Sequence, residues 1–197
     1  MTVTEDVEIW RTSTPRTSRQ SPEAELRSEH TLMRAVLASV ETEAQRLARG
    51  ASLRTEFWAD VIDFIGNFVH LCHRAKEERC CFDTVRDEAS RAVLDALAKE
   101  HKKAEALTFE LCGAIESGDW EQTLRLAHVY LHAMRGHMDR EESDVFPLLA
   151  ARFLEAPASE EALRESFADV EEAVLPAGRR AHYVEISRRL AVMTKTS

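Results

Sequence analysis

Residues 21–50 read SPEAELRSEHTLMRAVLASVETEAQRLARG, and this stretch has the marks of one long amphipathic helix. Ser21 supplies a side-chain oxygen for the unpaired N–H groups of a first turn. Pro22 suits the first helical position, because an N–H there would have no partner. Leu26, Met33, Val36, Leu37, Val40, Ala44 and Leu47 then recur at three and four residues, one apolar stripe at helical period. Gly50 closes the segment. The same grammar continues down the chain. Ser52 opens a second helix that carries Phe57, Trp58, Val61, Ile62, Ile65, Phe68 and Val69 to about Cys80. A polar break around Asp83 to Glu88 precedes a third helix, roughly 88–116. Gly118 ends it, and Asp119 with Gln122 forms a capping-box start for a fourth. That helix runs to about Leu154, with Pro147 bending it or ending its regular part. Long helices joined by turns of a few residues are antiparallel neighbours.

The expected fold is therefore all-α. It is an up-down antiparallel four-helix bundle over residues 21–155. Residues 1–20 have no apolar period and read as a flexible arm, with Trp10 able to tuck onto the body. Residues 156–197 read as a C-terminal helical extension packed on the bundle, with helices at about Ser159 to Val174 and Ala177 to Val192.

Composition narrows the function classes. The 197 residues carry a formal net charge of −9 and 44% hydrophobic residues, enough for a core. The acidic balance lacks the basic patch that nucleic acid requires. No apolar run approaches a membrane span, and the acidic start of the chain has no apolar signal-peptide region. Cys72, Cys80, Cys81 and Cys112 form no disulfide or zinc framework and read as small packing residues of a cytoplasmic protein.

One pattern occurs twice. His73-Arg-Ala-Lys-Glu77-Glu78-Arg-Cys-Cys-Phe82 and His137-Met-Asp-Arg-Glu141-Glu142-Ser-Asp-Val-Phe146 both read H-x3-E-E-x3-F, on the second and fourth helices. A His and a Glu four apart share one helix face, so both can reach one point in a bundle core. Imidazole offers a terminal nitrogen ligand and a carboxylate can bridge two ions. The other two helices each add a Glu-His pair, Glu29-His30 and Glu100-His101. Counted from the flanking turns, His30, His73, His101 and His137 lie at depths agreeing within roughly 6 Å at 1.5 Å per residue. Four histidines and two carboxylates at one level are the makings of a dinuclear metal site. Buried without coordination or hydrogen bonds, they would be costly.

These motifs resemble the hemerythrin family, specifically its HHE cation-binding domains, over about residues 26–154. The Phe146-Pro147 that follows the last motif is a frequent family feature, replaced by Phe82-Asp83 at the second helix. The resemblance implies a centre of two non-haem iron ions with a bridging oxo or hydroxo group. His30, His73, His101 and His137 would be terminal ligands, and Glu77 and Glu141 would bridge. Oxygen-carrying hemerythrins use a fifth histidine one turn from the third-helix ligand. Here Glu105 lies four after His101 and Leu97 four before it. The set is more similar to members that handle nitric oxide, peroxide and iron. The cluster-repair branch usually has a small cysteine-containing domain before the bundle, and residues 1–25 contain no cysteine.

Further residues have candidate roles. His70 shares the face of His73 and Glu77, as a fifth ligand, a carboxylate-holding partner or a partly exposed side chain. Glu105 could coordinate iron or stay beside it. Tyr130 faces inward, where it could touch a bound oxygen species or pack in the core. Glu78 and Glu142 point sideways, to solvent or to groups around the ligands. His128 and His132 face away from the site, and His182 has no evident partner. The expected function is binding or reacting with O2, NO or peroxide. The alternatives are a di-iron oxidase or oxygenase of a small organic substrate, which needs an apolar pocket beside the metals, and iron storage or buffering without turnover.

Overall fold

The computed structural model describes residues 20–175 and 179–195; residues 1–19 of the expected arm, Trp10 among them, lie outside these. The described residues form six helices and no strand: α1 (Pro22–Ala48), α2 (55–85), α3 (Arg91–Glu116), α4 (120–155), α5 (Pro157–Val174) and α6 (Arg179–Lys195). The Ser21 hydroxyl accepts from Ala24 N at 3.2 Å, and every stripe residue of α1 from Leu26 to Leu47 is buried. Gly50 and Gly118 take φ of +85° and +70° in the turns after α1 and α3, a region where a side chain would be strained.

Several boundaries differ from expectation for local reasons. Ser52 does not start α2. Its carbonyl accepts the Arg46 guanidinium, and the helix begins at Thr55 after an extended Arg54. The third helix starts at Arg91, because Asp87 and Ser90 satisfy each other first: Ser90 N donates to Asp87 Oδ1 at 2.7 Å and Asp87 N to Ser90 Oγ at 2.9 Å. Asp119 caps α4 as expected, accepting from Gln122 N at 2.9 Å. Pro147 does not end α4, which continues to Glu155. It sits in the first turn of regular helix after a π-helical stretch, a position that tolerates the missing N–H.

Those π stretches carry a pattern of their own. Wider turns occupy Phe64–His73 and Glu77–Cys81 in α2 and Glu141–Val145 in α4. The last two begin at the equivalent glutamate of each H-x3-E-E-x3-F copy, and such inserted turns often mark functional positions.

Two apolar clusters fill the interior. One gathers Met33, Val36, Trp58, Phe64, Phe68, Tyr130, Met134 and, from α6, Tyr183, Ile186 and Leu190. The other gathers Leu26, Phe82, Leu94, Leu97, Val145, Phe146, Leu149 and, from α5, Leu163 and Phe167. Between them runs a layer of buried polar side chains. Along α1 it falls between Leu26 and Met33, and along α4 between Met134 and Val145.

Candidate metal centre

The polar layer contains His30, His73, Glu77, His101, His137 and Glu141, each 5% exposed or less. They form two groups that share both carboxylates: His30, His73, Glu77 and Glu141, and Glu77, His101, His137 and Glu141. Glu77 turns Oε1 to His73 Nε2 at 2.9 Å and to His30 Nε2 at 3.8 Å, while Oε2 lies 3.2 Å from His101 Nε2. Glu141 does the converse, with Oε2 at 3.3 Å from His30 Nε2 and Oε1 at 3.1 Å from His137 Nε2 and 3.7 Å from His101 Nε2. Each carboxylate therefore offers one oxygen to each histidine pair. Despite the short approaches, His30, His73 and His101 Nε2 and all four oxygens of Glu77 and Glu141 are buried without a hydrogen bond. Native interiors rarely tolerate such atoms. Divalent cations shared by the two carboxylates would satisfy them all, so the donor set fits two ions, and nitrogen with carboxylate oxygen suits iron, zinc or manganese.

The Nδ1 side of every ring is occupied. His73 Nδ1 meets Glu29 Oε2 at 2.7 Å, His101 Nδ1 meets Glu78 Oε1 at 2.8 Å, His137 Nδ1 meets Glu100 Oε2 at 2.9 Å and His30 Nδ1 meets Glu142 Oε1 at 2.8 Å. The four contacts form a closed circuit in which α1 holds α2, α2 holds α3, α3 holds α4 and α4 holds α1. A carboxylate on Nδ1 fixes the tautomer that leaves Nε2 free to coordinate and raises its basicity. The circuit also explains the rest of the repeated motif. Phe82 stacks on His101 at 6.1 Å, the ring that Glu78 holds, and Phe146 stacks on His30 at 5.4 Å, the ring that Glu142 holds.

The same carboxylates set the proton affinities. Burial opposes charge on His30, yet the close carboxylates of Glu141, Glu142 and Glu77 hold its pKa well above the ordinary imidazole value. Burial likewise opposes charge on His73 and His101. Glu77 and Glu29 raise His73 to about 9, and Glu141, Glu77 and Glu78 raise His101 to about 11. Burial and the neighbouring Glu77 push Glu141 up, but His137 and His101 bring it down to about 2. A metal must displace these protons, so its uptake releases them.

Other candidates lie elsewhere. His70 stands apart from the two groups: its Nε2 meets Thr108 Oγ1 at 3.0 Å, and burial lowers its pKa to about 4. Glu105 turns outward, 60% exposed, to Arg74 at 2.8 Å. Tyr130 is buried with its hydroxyl toward Thr108, and it lines an apolar cavity of about 10 Å³ with Met33, Phe64, Val69 and Met134. His128 and His132 are exposed, as their phase predicts. His182 does have a partner, Asp63 at 3.1 Å. The cysteines are free thiols, Cys72 and Cys81 buried. A third acidic group, Glu25, Glu29 and Glu171, surrounds the fully buried Lys76 and takes Arg180 as well, so cations of the chain already fill it. No helix among the described residues is long and apolar enough to cross a membrane.

No curated protein and no solved structure matches the chain. The family model of the hemerythrin HHE cation-binding domain matches residues 21–149, the span that holds all six clustered residues and the circuit around them. The chain therefore belongs to the hemerythrin HHE cation-binding family.

Proposed function

We propose that this chain holds a non-haem di-iron centre and binds or reacts with O2, NO or peroxide in sensing, stress defence or iron handling. The observation that carries the reading is the split of each buried carboxylate between two histidine pairs, with its oxygens lacking hydrogen bonds. On this reading α1 to α4 form an up-down antiparallel bundle around the centre. His30 and His73 would hold one ion and His101 and His137 the other, with Glu77 and Glu141 available to both. Iron bound there would supply open coordination positions and one-electron chemistry. The chain's own part is to aim four Nε2 atoms inward through Glu142, Glu29, Glu78 and Glu100, and to keep water out with the apolar clusters on either side. The apolar cavity beside Met33, Val69 and Met134, residues within one turn of His30, His73 and His137, has room for about one water. A space of that size does not hold an organic substrate. Free cysteines fit a reducing compartment such as the cytoplasm.

The test is metal analysis with absorption spectroscopy on protein reconstituted with Fe2+ and exposed to air. The reading predicts two iron ions per chain with oxo-to-iron absorption bands. One zinc ion per chain without such bands would sink it.

A further inference from the structure

The four glutamates that hold the ligand histidines are not equivalent. Glu142, Glu78 and Glu100 have side chains 25%, 30% and 28% exposed, and each pairs with an arginine of the family-matched helices: Arg34 at 2.6 Å, Arg74 at 3.0 Å and Arg140 at 2.6 Å. Water can replace any of those arginines. Glu29 is fully buried. Its Oε2 holds His73 Nδ1, while its Oε1 accepts from Lys76 Nζ at 2.8 Å and from Arg180 Nη2 at 2.6 Å. Lys76 is itself fully buried and donates to Glu25 at 2.5 Å and Glu171 at 2.9 Å, with its Nζ 5.6 Å from the Phe167 ring. Arg180 also pairs with Glu171. Glu171 and Phe167 belong to α5 and Arg180 to α6, both beyond residues 21–149.

We propose that α5 and α6 complete the metal centre from outside: Arg180 and Glu171, with Lys76, are positioning residues that lock Glu29 and through it His73. Docking of the two C-terminal helices and occupancy of the His30–His73 position are then coupled. This rests on the dinuclear reading above. Coupling is reciprocal, so metal must tighten α5 and α6 as much as their docking tightens metal. Undocking would hydrate Glu29 and free the His73 ring, and a disturbed partner behind a ligand histidine typically weakens metal binding 10–100-fold.

The test has two arms on the full chain. Anaerobic Fe2+ titration of the wild type, Arg180→Leu and Arg180→Lys should show two ions in the wild type. One of the two should bind at least tenfold more weakly in Arg180→Leu, with most of the loss recovered in Arg180→Lys. Hydrogen exchange of the unmutated protein, iron-loaded against chelated, should show protection over 157–195 falling about tenfold on metal removal, and falling more than over 108–125 at the far turn. This arm does not depend on a variant folding. Equal affinities in all three proteins, or tail protection indifferent to metal, would overturn the coupling. A wild type that fails to take two ions would overturn the dinuclear reading itself, a separable result.

Discussion

Stripping the metal should lower the melting temperature steeply without unfolding the protein at 25 °C. The metal-free layer is balanced by its own protons, since His30, His73, His101 and His137 all have raised proton affinities beside ionised glutamates. The metal-free chain can therefore keep its fold. What it loses is linkage energy. A ligand held only by the folded state at a free concentration 1,000 times its dissociation constant adds about 4.1 kcal/mol, so two ions add roughly 8 kcal/mol. For a chain of this size each kcal/mol is worth about 2–4 °C, which gives a shift of roughly 16–32 °C. Calorimetry or far-ultraviolet circular dichroism, on anaerobically iron-loaded and chelated samples, reads it directly. Glu141→Ala removes an oxygen from both ion positions, so its loaded and chelated forms should melt together. His128→Ala, exposed on α4, should keep the whole shift. A wild-type shift under about 3 °C would mean that no tightly held ions contribute to the folded state, contrary to the linkage estimate.

Three further outcomes follow from the same geometry. His73 and His101 titrate near 9 and 11 when folded, against about 6.5 when unfolded. Their stabilisation of the metal-free protein is thus complete below pH 6.5 and is lost as pH rises through 9 to 11, a decline that the loaded protein should lack; parallel pH–stability curves would contradict this. Phe146→Ala empties a buried position stacked on His30 and should cost about 3–5 kcal/mol in denaturant unfolding; a loss under 1 kcal/mol would mean the ring is not packed as described. Four ionised glutamates behind the imidazoles raise ligand basicity and favour ferric over ferrous iron, so O2 should oxidise the reduced protein; return of the reduced spectrum under vacuum without added reductant would show a carrier instead.

Much of the site was legible in the sequence because helical spacing is rigid. His73 and Glu77, or His137 and Glu141, share a face by arithmetic, and the turns at Gly50 and Gly118 put all four histidines at one depth. The roles of Glu78 and Glu142 were half legible. A residue next to an inward glutamate points about 100° aside, which on a packed helix means toward a neighbour, and the neighbour presents a histidine. The π turns at Glu77 and Glu141 left no such trace, since no residue type marks them. Nor did the burial of Lys76. Its position follows the phase of the apolar face, but a lysine there is tolerable only because Glu25, Glu29 and the distant Glu171 converge on it. Glu105 lies away from the cluster for the converse reason. Four residues after His101 places it near the inward face, but an exposed ion pair with Arg74 holds it outward. Periodicity describes one helix at a time and carries no information about such convergence.

Whether two ions share Glu77 and Glu141 is read by counting metal in wild type, Glu141→Ala and His70→Ala after identical anaerobic Fe2+ loading. Two iron ions per chain are expected in the wild type and in His70→Ala, since the His70 ring turns to Thr108, with loss of both together in Glu141→Ala. A single ion in the wild type, or wild-type loading in Glu141→Ala, would contradict that sharing.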